Sequence, residues 1–347
     1  MVTLRWAIIS TGQHANTKIA PAMALTPEAE LVAVYSRDRA RAETFAQQHD
    51  AQAAYDSVQD LLRDDRVDAV FVNSPNALHA DVTLQAAKAG KHVLTEKPMA
   101  TTLNDAVAMV RGCRDAGVKL GVGFHLRQHP VHREARRLLS QGVLGQIALA
   151  QAQWGFGVRG EVAPPPRQGL RQWWDEPEMI GWASTMMGTG VHVVDTLRFL
   201  LSQEVTEVAA ITDGQRPQQP LEQLIAMSLR FEAGVIATVC CGRRLPDSHH
   251  DVVIYGSEGR ISGLDTLREG RQGGLQVMSQ TVNKTESVTA DLLANYVDEL
   301  SDFHQAIIED REPAATGLDG LQVVQVTLAM IASARDKRTV TIEPIAV

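Results

Sequence analysis

The sequence predicts an α/β protein in two parts, a doubly wound parallel sheet followed by a domain built mainly of antiparallel strands. Three observations predict it. A length of 347 residues suffices for two domains with ample core. Up to about residue 124, short apolar runs alternate with stretches of helical period, the pattern of a parallel sheet with helical crossovers. Beyond that point, extended segments at 205–211, 226–231, 235–241 and 252–255 follow one another with few helices between, and Glu232-Ala233-Gly234 supplies a hairpin turn. The expected domains are 1–124 and 125–347, with the C-terminal helix a candidate to pack back on the first domain.

Residues 5–10 read as the first buried strand, carrying Trp6, Ala7, Ile8 and Ile9. A second strand covers 31–35, and Asp38 is placed to cap the helix after it. A third apolar strand, 69–72, ends at Asn73-Ser74-Pro75-Asn76. A helix over 80–89, closed by Gly90, leads into a strand over 91–95. Thr102 and Asp105 make a capping box for a helix with apolar residues at 103, 106, 107, 110 and 113, and Gly117 closes it. Residues 118–124 give a further strand. In the second part, helices are expected over 130–139, 182–201, 296–309 and 318–334, a strand over 147–154, and an irregular proline-bearing loop over 162–170.

Composition narrows the function. Hydrophobic residues at 44% and charged residues at 21% are ordinary globular values. The 33 basic and 41 acidic residues leave a net charge of −8, which argues against a nucleic-acid or anionic-membrane surface. No apolar run approaches the roughly 18 residues of a membrane span. The N-terminus runs straight into a strand, so no signal peptide is expected. Cys113, Cys240 and Cys241 form neither a disulfide framework nor a zinc pattern, so a reducing, cytoplasmic home is expected.

The chemistry concentrates at strand ends. Glu96-Lys97-Pro98 follows the strand 91–95, and ligands of open α/β sheets bind beyond the carboxyl ends of their strands. Pro98 stiffens the turn. An ammonium held there polarises a carbonyl or holds an alkoxide, as a hydride transfer requires; a solvated surface ion pair is the bland alternative. The first turn is an imperfect dinucleotide fingerprint: Ser10 replaces the first glycine, Gly12 keeps the second and Ala15 fits the third, with Thr11 between. The second strand ends Tyr35-Ser36-Arg37, without the carboxylate that usually takes the ribose 2′-hydroxyl of NAD. Ser36 and Arg37 suit a 2′-phosphate, so NADP is favoured, with NAD the alternative.

The chain resembles the family typified by glucose–fructose oxidoreductase and inositol dehydrogenase. The resemblance rests on Ser10-Thr11-Gly12, the run Asn73 to His79, the run Gly90 to Pro98, Phe124-His125-Leu126-Arg127 and Gly190-Val191-His192-Val193-Val194-Asp195. Within the family it looks most like the bacterial 1,5-anhydrofructose reductases, through Asp195-Thr196-Leu197-Arg198-Phe199 and Pro313-Ala314-Ala315-Thr316-Gly317. The resemblance implies an N-terminal Rossmann domain and a C-terminal α/β domain with a large, open, mostly antiparallel sheet, often used for homodimers or larger homo-oligomers. It implies that Lys97 touches both nicotinamide and substrate, that Glu96 lies near the nicotinamide, and that Asn73, Ser74, Pro75, Asn76 and His79 line the cofactor cleft.

The family's second-domain motif carries an Asp four residues before the His. Here His192 is present, but Gly188 stands at the matching position. His192 remains a candidate general acid, with an ordinary pKa near neutrality; a packed core histidine is the alternative. His125 and Arg127 are expected to face the cleft after the strand end. Trp173 and Trp174 either pack on a sugar ring or cover the irregular loop. His125, His129 and His132 lack the carboxylate or cysteine pattern of a metal site, and no metal is expected. The expectation is an NADP-dependent oxidoreductase moving a hydride between nicotinamide and a carbonyl or secondary alcohol of a sugar-like substrate. Lys97 would hold the oxygen and His192 would shuttle the proton. A redox-cycling NAD-dependent glycosidase and a catalytically silent nucleotide- and sugar-sensing protein are the alternatives.

Overall fold

The computed structural model describes residues 2–161 and 165–347. Part of the expected loop, residues 162–164, lies outside the described residues. The first sheet holds β1 (Leu4–Ile9), β2 (Ala29–Tyr35), β3 (Ala53–Tyr55), β4 (Ala69–Val72), β5 (His92–Thr95) and β6 (Leu120–Val122). Its order is β3-β2-β1-β4-β5-β6, and every pairing is parallel. Helices α1 (Ala20–Leu25), α2 (Arg39–Gln48), α3 (Val58–Leu62), α4 (His79–Lys88) and α5 (Leu103–Asp115) connect the strands. The order reverses between β1 and β4, and that switch point opens a crevice at the strands' carboxyl ends.

The second sheet has nine strands: β7 (Ile147–Gly155), β8 (Val205–Thr212), β9 (Leu224–Phe231), β10 (Ile236–Gly242), β11 (Val252–Gly256), β12 (Gly259–Leu264), β13 (Gly274–Ser279), β14 (Asn283–Ser287) and β15 (Val340–Thr341). All its pairings are antiparallel except β7 with β10. Along β9, residues 225, 227, 229 and 231 are buried and 226, 228 and 230 are exposed, so one face is packed and the other open. The open face includes Ile211 and Ile236, both exposed.

Helices α6 (Pro130–Ser140), α7 (Pro177–Ile180), α8 (Val191–Leu201), α9 (Ala294–Ile308) and α10 (Gly317–Asp336) complete the chain. The expected helix over 182–201 is shorter, because a π-wound turn at Met186–Gly190 precedes α8. Two C-terminal helices return to the first domain. Tyr296, Leu300 and Phe303 of α9 share a core with Trp6, Ile8 and Phe71, and the Trp6 and Phe303 rings lie 5.7 Å apart. On α10, a Cβ at Gly320 would stand 2.7 Å from the Met99 sulfur and 2.8 Å from Val122, so only glycine lets α10 lie this close. Contrary to the sequence expectation, α10 is long and apolar enough to cross a membrane by length and composition, but most of it is buried inside the fold.

Candidate functional site

The crevice is a cleft of about 1090 Å³ with the first domain on one side and the second on the other. Its nucleotide side begins at the β1 turn. Ser10 has φ +93°, a left-handed conformation that glycine adopts freely, so the turn keeps its glycine geometry with a serine in place. A Cβ on Gly12 would meet only Asn73 Nδ2, at 3.9 Å; the space a ligand backbone contact needs is there. Ala15 is fully buried and packs the helix onto the sheet. Thr11, Asn73, Ser74 and Pro75 line the same wall.

At the end of β2, Asp38 caps α2 by accepting from Arg41 N at 3.1 Å; Asp56 lines the cleft nearby. Ser36 is buried and its hydroxyl accepts from Asp38 N at 3.3 Å. Arg37, just before the cap of α2, and Arg41, in its first turn, both line the cleft. Arg41 was missed from the sequence, where it reads as an ordinary charged residue of the first helical turn. Among the described residues, Arg41 Nε and Ser74 Oγ are buried without partners, as expected of groups kept for a ligand. These residues fit a dinucleotide.

His79 braces this wall. Its two ring nitrogens face Pro98 O at 2.8 Å and Ser74 O at 2.7 Å, tying the 73–76 loop to the turn after β5. Burial lowers its pKa, while the two carbonyls work against that. Asn76 donates to Ile180 O at 3.0 Å and so joins the wall to the second domain.

Glu96 and Lys97 stand at the carboxyl end of β5, where the two walls meet. Glu96 Oε2 accepts from Lys97 N at 3.1 Å, and Glu96 Oε1 lies 3.5 Å from His14 Nδ1. Lys97 reaches across the cleft, its Nζ donating to Gly188 O at 3.1 Å. Burial lowers the Lys97 pKa; Glu96 and Glu269 oppose the shift. The matching position for the family's Asp is therefore a backbone carbonyl aimed at the ammonium. A Cβ on Gly188 would be in ordinary contact with the Trp174 ring, at 3.6 Å. Residues 186–190 are π-wound, so a π-turn rather than a regular α-helical turn leads from Gly188 into α8 and His192.

His192 is buried beside Lys97, stacked on Trp154 at 5.4 Å and edge-on to His125 at 4.8 Å. His125 stacks in turn on Tyr296 at 4.5 Å, a residue the sequence did not single out. His192 Nδ1 and His125 Nε2 are sealed without partners among the described residues. Burial drives the His192 pKa well below its ordinary value, and the Lys97 charge pushes the same way. The resting ring is therefore neutral, not the near-neutral titrant expected from the sequence. His125 is held down likewise, by burial and then Lys97.

Neither Arg127 nor His125 lines the cleft as expected; both are buried behind it. The Arg127 guanidinium donates two hydrogen bonds to Asp195, at 2.8 and 2.6 Å, one to Asp319 at 2.8 Å and one to Ala314 O at 2.6 Å. His129 and His132 are also held internally, by Gln272 O at 3.0 Å and Leu126 O at 2.9 Å. Trp173 and Trp174 do line the cleft, with ring centroids 4.8 Å apart.

Residues 4–124 match the oxidoreductase family with an NAD-binding Rossmann fold, and residues 132–262 match the GFO/IDH/MocA C-terminal domain. The chain is 32% identical over 340 residues to a 1,5-anhydro-D-fructose reductase of Ensifer adhaerens, covering 98% of each protein. It is 26% identical to a D-xylose 1-dehydrogenase (NADP(+)) of Haloferax volcanii, covering 98% of this chain and 100% of that one. The crystal structure of an aldose-aldose oxidoreductase from Caulobacter crescentus complexed with glycerol superposes with a TM-score of 0.86 at 26% identity, covering 98% and 99% of the two chains. Two domain matches on the two halves of the cleft, and one relative aligned nearly end to end, make this chain a member of the GFO/IDH/MocA oxidoreductase family.

Proposed function

We propose that the protein is an NADP-dependent dehydrogenase or reductase acting on a carbonyl or secondary alcohol of a sugar-like substrate. The observation that carries the reading is Lys97: a desolvated ammonium at the junction of the nucleotide wall and the second domain, anchored to both. The bound nicotinamide supplies or accepts the hydride. Ser10, Thr11, Gly12 and the 73–76 loop would hold the dinucleotide, with Ser36, Arg37 and Arg41 on a 2′-phosphate. Lys97 would donate to the reacting oxygen and stabilise charge as it develops there. His192, neutral at rest, is suited to accept the alcohol proton in oxidation and, as the imidazolium, would return it in reduction, while Lys97 would stabilise the charge on the oxygen in both directions.

Lys97→Met keeps most of the side-chain length and removes the charge. It should lower kcat by about 10²–10³-fold, the scale of one preorganised donor, with NADPH affinity little changed. His192→Ala should lower kcat by roughly 10²–10⁴-fold. Normal turnover by Lys97→Met on the true substrate would sink the mechanism. The open face of the second sheet, with Ile211 and Ile236 exposed, is proposed to pair copies of the chain into a homodimer or larger homo-oligomer. Light scattering that returned a 37.8 kDa particle at micromolar concentration would refute that part.

A further inference from the structure

The second-domain wall of the cleft carries a feature that the oxidoreductase reading does not use. β7 and β10 are the sole parallel pair of their sheet, so their carboxyl ends lie side by side. The next residues, Phe156 and Arg243, both face the cleft. Phe156 N donates to Gly242 O at 2.9 Å, Leu245 N to Phe156 O at 3.0 Å, and Arg243 N to Gln223 O at 2.8 Å, so both backbones are fixed. Gly157 permits this approach: a Cβ there would stand 3.1 Å from the nitrogens of Leu245 and Pro246.

Arg243 has no carboxylate within ion-pair distance among the described residues, and its Nε is buried without a partner. Its guanidinium lies 6.0 Å from the Phe156 ring centre. Burial, reinforced by the charge of Arg167, brings its pKa down to about 10. Arg167, on the same wall, donates to Asp175 at 2.7 Å and lies over the Trp174 ring at 5.1 Å, yet its own Nε is also sealed and unpartnered. Arg171 is turned the other way, toward Gln13 of the nucleotide turn at 3.4 Å. Glu176 lines the cleft without reaching either arginine.

Of two half-desolvated guanidinium groups, only Arg167 holds a carboxylate, Asp175. Leaving a partly buried cation unanswered is costly, and a sugar hydroxyl, being neutral, answers it weakly. A planar oxyanion answers it well, since guanidinium forks match carboxylate and phosphate geometry. Trp174 touches the Gly188 position, whose carbonyl meets Lys97, so the arginines lie along the same wall as the reacting end. We infer that the substrate carries an oxyanion, a carboxylate or a phosphate, gripped by Arg243 and Arg167 while its reacting carbon lies at Lys97. This rests on the oxidoreductase reading only in taking the cleft as the substrate site.

The test is a titration of NADPH-loaded protein by Trp fluorescence with D-glucose, D-glucuronate and D-glucose 6-phosphate, the last two separating carboxylate from phosphate. At least one acid should bind about tenfold or more tightly than D-glucose, the worth of one charge-assisted hydrogen bond. Raising sodium chloride should weaken the acid and not D-glucose. Arg243→Gln, shown folded by circular dichroism, should bring the three ligands within about twofold of one another and leave NADPH affinity unchanged. D-glucose binding as well as both acids would overturn the inference. So would an Arg243→Gln loss of NADPH affinity as large as the loss for the acid, which would assign the arginine to the cofactor. Should Arg243→Gln not fold, the wild-type preference and its salt dependence decide alone. These are binding measurements, so unaltered turnover in Lys97→Met would defeat the oxidoreductase mechanism while leaving this result standing.

Discussion

Two charged clusters are buried close together in this fold, and they treat burial in opposite ways. Around Arg127, the donors are answered from within: Asp195 and Asp319 take three hydrogen bonds and Ala314 O takes another, while Arg198 grips Glu204 at 2.6 Å with two nitrogens. Burial pulls the Asp195 carboxyl up, and the two guanidinium groups pull it back. Around Lys97, His125 and His192, two residues before Arg127 and three before Asp195 in the sequence, each keep a sealed nitrogen with no partner among the described residues. The Arg127 cluster satisfies its own desolvation and so holds the second domain to α10. The Lys97 cluster leaves its desolvation to be satisfied by a ligand.

The comparison breaks most directly at Arg127. Arg127→Met would leave the fully buried Asp195 with only Arg198 at 3.4 Å, and removing one partner of a buried pair costs about 3–5 kcal/mol. The urea midpoint should fall accordingly, whereas Lys97→Met should leave it nearly in place while lowering kcat by about 10²–10³-fold. Equal urea midpoints for Arg127→Met and wild type would show that the two clusters do not differ in the way described.

The cofactor wall sharpens the same contrast at smaller scale. Arg37 and Arg41 line the cleft, and Arg41 has an unpartnered Nε, so they resemble the Lys97 cluster more than the Arg127 one. Arg37→Asp should weaken NADPH by roughly 1.5–3 kcal/mol, the range of a charge-assisted hydrogen bond, and Arg41→Ala should act in the same direction. NADH affinity should change little in either. Fluorescence titrations that find NADH bound as tightly as NADPH by the wild type would remove the 2′-phosphate assignment.

What the sequence made legible follows the same division. The nucleotide wall could be read because each of its parts is local: an apolar strand, a turn within a few residues, then a helix. Even the substitution at Ser10 was harmless to that reading, since the backbone retains the glycine conformation. Arg127 was misread because its partners, Asp195 and Asp319, lie 68 and 192 residues away, and nothing local announces them. Arg243 was invisible for the converse reason. Beside Arg244 it looks like a solvated pair at a strand end, and only the parallel pairing of β7 with β10 carries it into the cleft. Strands β12 and β14 were missed because their exposed and buried positions do not alternate, and β13 because its alternation is only six residues long and bounded by glycine and serine.

Glu222 supplies the finest test, as a buried acid facing neutral donors only. It is fully buried, accepts from Met186 N at 2.9 Å and from Gln215 Nε2 at 3.0 Å, and so anchors the π-wound turn that presents Gly188 O to Lys97. Burial raises its pKa from 4.5 to about 7, with no cation to hold it down. An acid whose pKa rises on folding stabilises the fold while it is protonated. Its contribution is complete below about pH 4.5, declines as the unfolded chain ionises first, and is gone once the pH passes about 7. The size of that decline is on the order of 3 kcal/mol. Glu222→Gln keeps the acceptor for Met186 and cannot ionise, so its stability relative to wild type should rise between about pH 4.5 and pH 7 and level off above that. His129 and His132, lowered by burial to about 3 and about 4, destabilise the fold on the acid side in both proteins and cancel in that difference. Parallel pH–stability curves for the two proteins would mean that Glu222 is ionised in the fold, held by the turn's amides as firmly as Asp195 is held by arginines.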